Sequence, residues 1–190
     1  MIVRLMVLPP RSETQLQEAL TNSGIDLRRA ETRLSRLSQV RSRAEALGPQ
    51  HRAELREIEA KIKQADKEKR KADKAALEGE KKALERRQQW ADRIQGIGDA
   101  ELATAQAVCL AALAKHQALD LELQLAQKRT AMAGSSRSET AADNGSRVVI
   151  RELERQTLEA QKKQRQLEHQ LARTQEDLAD KRLDFYRASS

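Results

Sequence analysis

The feature that most constrains this chain is a heptad repeat that keeps one phase across residues 12–95. Position a carries Leu20, Leu27, Leu34, Arg41, Gly48, Leu55, Ile62, Lys69, Ala76, Ala83 and Trp90. Position d carries Leu16, Ser23, Ala30, Leu37, Ala44, His51, Ile58, Ala65, Ala72, Gly79 and Arg86. A repeat of this length suits helices packed on helices and little else. A second, patchier repeat follows, in which Ile150, Thr157, Gln164, Leu171, Leu178 and Phe185 alternate with Leu153, Ala160, Leu167, Thr174 and Lys181. Composition closes off the alternatives. Ala, Leu, Arg, Glu and Lys make up 108 of the 190 residues, and aromatics number three (Trp90, Phe185, Tyr186). The β-branched and aromatic residues that strands need are scarce, so neither a sheet nor a nucleotide-binding α/β enzyme is expected. The expected fold class is all-α, a long antiparallel coiled-coil hairpin.

Helix punctuation is sparse, so each instance carries weight. After Pro9-Pro10, Ser12 and Gln15 spell a capping box. Ser23-Gly24 could interrupt the first helix. Gly48-Pro49 is a stronger break, because Pro49 has no amide to donate and crowds the preceding turn. The phase runs through it, so residues 12–95 read as one kinked rod or as two stacked helices sharing a seam. Gly96-Ile97-Gly98-Asp99 reads as a stop and a restart, with Gly96 ending one helix and Asp99 capping the next. Residues 134–146 (GSSRSETAADNGS) read as a polar loop, with helix again from Arg147 to about Arg187. A single domain, 1–190, would then comprise arm one at 12–95, a turn at 96–99, and arm two at 100–187 interrupted by the loop. Doubling back at 96–99 sets Leu178 beside Leu16, Leu167 beside Leu27 and Ile150 beside Ala44. An arm of about 84 residues would span about 125 Å. The alternative folds four segments at Gly48-Pro49 and at the loop into a compact four-helix bundle.

Residues 102–126 do not suit a two-stranded rod. Seventeen of these 25 residues are apolar, and they surround the helix. Leu110, Leu113, Leu119, Leu121, Leu123 and Leu125 cannot all face one partner, and a helix apolar all round is normally buried. The segment is expected to meet another chain or a third helix, with Leu119 and Leu123 as candidate partner contacts. The stretch expected opposite, residues 62–90, has a seam of Lys, Ala and Gly. Its small residues Ala72, Ala76, Gly79 and Ala83 would admit close approach.

No catalytic constellation emerges, and no cofactor is expected. His51, His116 and His169 stand far apart, and His116 with Asp120 and Glu122 lacks a converging further ligand for a metal. Gly96-Ile97-Gly98 departs from a phosphate-cradling loop, since no third glycine follows. Cys109 stands alone in the apolar stretch and reads as a small buried side chain, fitting a reducing compartment. Residues 1–8 (MIVRLMVL) make a poor signal peptide, interrupted by Arg4. The longest unbroken apolar run, residues 107–114, is too short to span a bilayer. A cytoplasmic protein without membrane insertion is expected. The net charge of +7 is spread along the chain among Glu residues and is densest at Lys67-Glu68-Lys69-Arg70-Lys71. Aromatics do not interleave the basic residues, which argues against nucleic acid as partner. Pairs such as Glu57 with Lys61 and Glu78 with Lys82 are expected along a solvated face.

The layout resembles the small stalk proteins of bacterial type III secretion, the FliJ/YscO/HrpO group. The likeness covers the whole chain: an N-terminus beginning Met1-Ile2-Val3-Arg4-Leu5, two long arms, a turn near mid-chain and a basic balance. The Gly48-Pro49 break and the 134–146 loop depart from that group. The resemblance implies a non-enzymatic stalk that links a hexameric secretion ATPase to an export gate component, with export chaperones as further partners. On that expectation Arg11, Arg28, Arg29, Arg173 and Arg182 near the termini face the ATPase. Trp90, Ile94 and Ile97 by the turn face the gate, or else are satisfied within the hairpin. A generic coiled-coil scaffold or oligomerisation protein is the alternative, and a basic polyanion-binding helical protein is a third reading.

Overall fold

The computed structural model describes residues 11–134 and 141–189. Among them every regular element is helical: α1 (Glu13–Lys67), α2 (Lys71–Gly134) and α3 (Ala141–Ser189). The expected all-α class and the antiparallel hairpin pairing hold. The chain divides into two units, one of Met1–Thr32 with Ala107–Ala172, the other of Arg33–Gln106 with Arg173–Ser190. Each unit contains a piece of all three helices.

Helix α1 starts where the capping box places it. The Ser12 amide donates to Gln15 Oε1 at 3.0 Å, and the Gln15 amide donates to Ser12 Oγ at 3.2 Å. Its inward-facing residues are Leu16, Leu20, Ser23, Leu27, Ala30, Leu34, Leu37 and Arg41, then Leu55, Ile58, Ile62 and Ala65. All of these are predicted a or d positions, but predicted Ala44 is exposed, and the surroundings of Gly48 and His51 lie outside the described residues. The expected break at Gly48-Pro49 is not there, because α1 continues through Pro49. Pro49 forfeits one ladder bond, and the inward-facing pattern that stops at Arg41 resumes at Leu55. In α3 the predicted phase also holds, from Ile150 through Thr157, Leu167 and Leu178 to Phe185, with Lys181 alone exposed among the named positions.

The reversal lies elsewhere than expected. Gly96, Ile97, Gly98 and Asp99 are interior to α2, no glycine has positive φ, and Asp99 pairs with Arg41 at 3.4 Å instead of capping a helix. The chain turns instead at 68–70, a sequence with neither glycine nor proline. The Lys69 amide donates to the Asp66 carbonyl at 3.1 Å and the Arg70 amide to the Ala65 carbonyl at 2.9 Å. That pair of bonds is the Schellman C-cap, and it sets Lys69 in the left-handed region at φ 56°. A lysine there costs about 1 kcal/mol more than a glycine would, which is why the turn escaped notice in the sequence. Beyond the turn the heptad phase shifts. The half-buried seam of early α2 is Lys74, Leu77, Lys81, Leu84 and Gln88, while Ala72, Ala76, Gly79 and Ala83 are exposed. No close approach occurs at Gly79, where a Cβ would meet nothing within 4 Å.

In the first unit Leu16 packs against Leu119 and Leu123, with Ala19, Leu20 and Ala126 around them. Leu16 therefore meets α2, not Leu178, which belongs to the second unit. The over-apolar stretch of α2 is resolved by the chain's own helices, as the third-helix reading anticipated. Leu102, Ala105, Leu119 and Leu123 lie on one buried stripe, and Ala107, Ala111, Ala114, Ala118 and Leu125 lie on another. Leu119 and Leu123 of the first stripe pack on Leu16 of α1. From the second side Glu122 accepts from Gln161 and Arg129 pairs with Glu154 of α3 at 2.7 Å. By length and composition α2 is also apolar enough to cross a membrane, and 28% of its most apolar window is buried.

The loop expected at 134–146 is narrower, since α2 runs to Gly134 and α3 begins at Ala141. Ala141 and Ala142 are strong helix formers at that start. Residues 1–10 and 135–140, including the 1–8 segment and Pro9-Pro10, lie outside the described residues.

Because a Cβ at Gly96 or Gly98 meets nothing within 4 Å, Gly96→Ala and Gly98→Ala should each stabilise the protein by about 0.5–1 kcal/mol in urea unfolding. Destabilisation by either would restore a turn at that place.

Candidate functional site

The first unit contains one buried polar pair. Ser23, 2% exposed, hydrogen-bonds His116 Nδ1 through its Oγ at 2.8 Å and also donates to the Leu20 carbonyl at 2.8 Å. With the hydroxyl proton committed to Leu20, His116 Nδ1 is the donor to Ser23 Oγ, so that nitrogen has no free lone pair with which to act as a base toward Ser23. The pair satisfies a buried hydroxyl and a half-buried imidazole between α1 and α2, and Ser23-Gly24, expected as a possible interruption, is uninterrupted helix. His116, Asp120 and Glu122 diverge. Asp120 accepts from Gln124, and Glu122 faces Arg11 and Gln161. Cys109 is half-buried, and burial, with the charge of Glu31 second, pushes its thiol up.

Leu119 and Leu123, expected as partner contacts, are 5% and 7% exposed and belong to the core with Leu16. They are withdrawn from solvent because α1 lies over them. The leucines left uncovered are Leu110 at 47% and Leu113 at 40%, three residues apart on the third side of α2.

In the second unit the protein's three aromatic residues come together. Trp90 of α2 meets Phe185 of α3 edge-on, with ring centroids 5.3 Å apart, and Phe185 meets Tyr186 at 6.1 Å. The Arg93 guanidinium lies 5.9 Å from the Trp90 ring centre. Trp90 therefore packs on α3, and it remains 38% exposed. Ile97 lines a crevice of about 290 Å³ with Arg93, Gly96, Lys181, Asp184 and Phe185. Ile94 is 57% exposed. Arg182 pairs with Glu101, and the single Thr104 hydroxyl proton lies between the Ala100 carbonyl at 2.8 Å and the Thr174 carbonyl of α3 at 3.1 Å.

The five arginines expected to form one terminal surface are divided between units: Arg11, Arg28 and Arg29 in the first, Arg173 and Arg182 in the second. Their grouping assumed that both chain ends share one end of a single hairpin.

The hairpin's closed end, also in the second unit, is the most charged place described. Asp66 takes Lys74 at 2.6 Å, and Glu59 takes Lys81 at 2.8 Å; each carboxylate raises its lysine's pKa. Glu68 is held low chiefly by the hydrogen bond from Gln64. Arg70 is gripped by Glu68 and by Asp73. The expected pair of Lys61 with Glu57 forms at 2.7 Å. Sequence reasoning marked the charge density here without seeing that it sits on a turn. The signal that would have found it is the loss of the apolar a and d pattern at Lys69 and Ala72.

Comparison with protein-family models, curated proteins and solved structures returns no match for this chain.

The aromatic contact has a direct readout, since Trp90 is the sole tryptophan. Phe185→Ala should shift its fluorescence to the red and lower stability by about 1–2 kcal/mol. An unchanged emission spectrum would rule the contact out.

Proposed function

We propose that this chain is a non-enzymatic, cytoplasmic stalk-type protein that links a type III secretion ATPase to its export gate and assists export, as its layout resembles. The supporting observation is the α1/α2 hairpin of the second unit, closed by a three-residue turn. Two long helices clasped along a narrow seam resist bending, and their exposed sides are lined with ion pairs that water screens. Such an element suits a part that conveys position between two assemblies without adhering to either. The ATPase contact becomes two surfaces, Arg11, Arg28 and Arg29 in one unit and Arg173 and Arg182 in the other. The test is co-purification of the full chain with a secretion ATPase and measurement of ATP turnover. Wild type should bind and stimulate, and alanine at all five arginines should abolish stimulation. Undiminished binding and stimulation by that variant would refute the assignment.

The scaffold reading has one observation in its favour, the exposed Leu110 and Leu113 on α2. On that reading sedimentation equilibrium shows a self-associating chain, and Leu110→Gln with Leu113→Gln returns it to monomer. A monomeric wild type at micromolar concentration excludes it.

A further inference from the structure

We infer that the closed end of the α1/α2 hairpin is a docking tip for an acidic protein surface, presented by Lys67, Lys69 and Lys71. The inference stands apart from the secretion reading and needs no ATPase.

Three observations converge on it. Residues 67–74 hold five cations and two carboxylates, and both carboxylates are already engaged by Arg70. Lys74 is held by Asp66. That leaves Lys67, Lys69 and Lys71 exposed with no ion pair among the described residues. The second observation is backbone geometry. Lys69 occupies the left-handed position of the cap, φ 56°, where glycine is the residue that folding alone would favour. An ammonium kept at a strained apex, with free lysines two residues before and after it, points to use of the charge.

The third observation separates the possible partners. The only guanidinium at the tip, Arg70, is committed to Glu68 and Asp73, so no free planar fork remains for phosphate. All three aromatic residues lie elsewhere, at Trp90, Phe185 and Tyr186, so no base-stacking platform is present. Flexible ammonium groups interleaved with internally paired carboxylates match a patterned acidic protein face, where they steer encounter and set register.

The test uses the full chain and three labelled probes: poly-L-glutamate, a 20-base-pair DNA duplex and phosphatidylserine-containing vesicles, each titrated at about 100 mM salt. The variant combines Lys67→Gln, Lys69→Gly and Lys71→Gln. Its glycine favours the native turn, so loss of folding does not confound the result. A control of equal charge change combines Arg151→Gln, Lys162→Gln and Arg165→Gln on α3. The expected result is poly-L-glutamate binding that weakens at least tenfold in the tip variant and less than twofold in the control. Absence of poly-L-glutamate binding by wild type, or equal losses in both variants, would overturn the inference. So would DNA or vesicle binding that drops more steeply than poly-L-glutamate binding when the tip is neutralised.

Discussion

Helix α2 is apolar on two sides, and that demand for two partner helices governs the rest of the packing. One stripe runs through Leu102, Ala105, Leu119 and Leu123, the other through Ala107, Ala111, Ala114, Ala118 and Leu125. A single opposing helix covers one stripe and leaves the other in water, at about 25 cal/mol for each Å² of apolar surface. Helix α1 takes the first stripe and α3 the second. Each contributes mainly through its own regular seam, and the exposed ion pairs along their outer sides add little, about 0–1 kcal/mol apiece.

The first reversal lies well before that two-sided segment, at a cap closed by its own backbone bonds. The reversal at 68–70 sets Asp66 level with Lys74, Glu59 level with Lys81 and Arg41 level with Asp99, so residues 72–99 return along α1. Turning at 68–70 makes α2 64 residues long and carries both stripes on one axis. The glycines at 96 and 98 are then tolerated inside a helix, and the left-handed conformation falls on Lys69, which lacks glycine's freedom. Local preference is overruled at both places because packing along the whole of α2 outweighs a penalty of about 1 kcal/mol at single residues.

The candidate surfaces were legible in part. Trp90, Ile94 and Ile97 drew attention as apolar residues on a charged chain, and the charge density at 67–71 was visible as a count. Phe185, however, could be placed only on the inner side of its own helix; its meeting with Trp90 depends on how α3 returns along α2. Likewise Leu119 and Leu123 had the same apolar character in sequence as Leu110 and Leu113. Which pair stays exposed is decided by where α1 and α3 lie.

By itself the sequence determined that the chain is helical, where α1 begins, and which residues of α1 and α3 face inward, down to Ser23, Ala65, Thr157 and Phe185. Those are local facts: a repeat of three and four residues acts within one helix, and a capping box within one turn. Only the tertiary structure decided where the chain reverses, that α2 runs unbroken through Gly96 and Gly98, and which helix each face of α2 meets. Such choices compare burial summed over residues far apart in the chain, a sum that no local pattern of Gly, Pro or charge encodes.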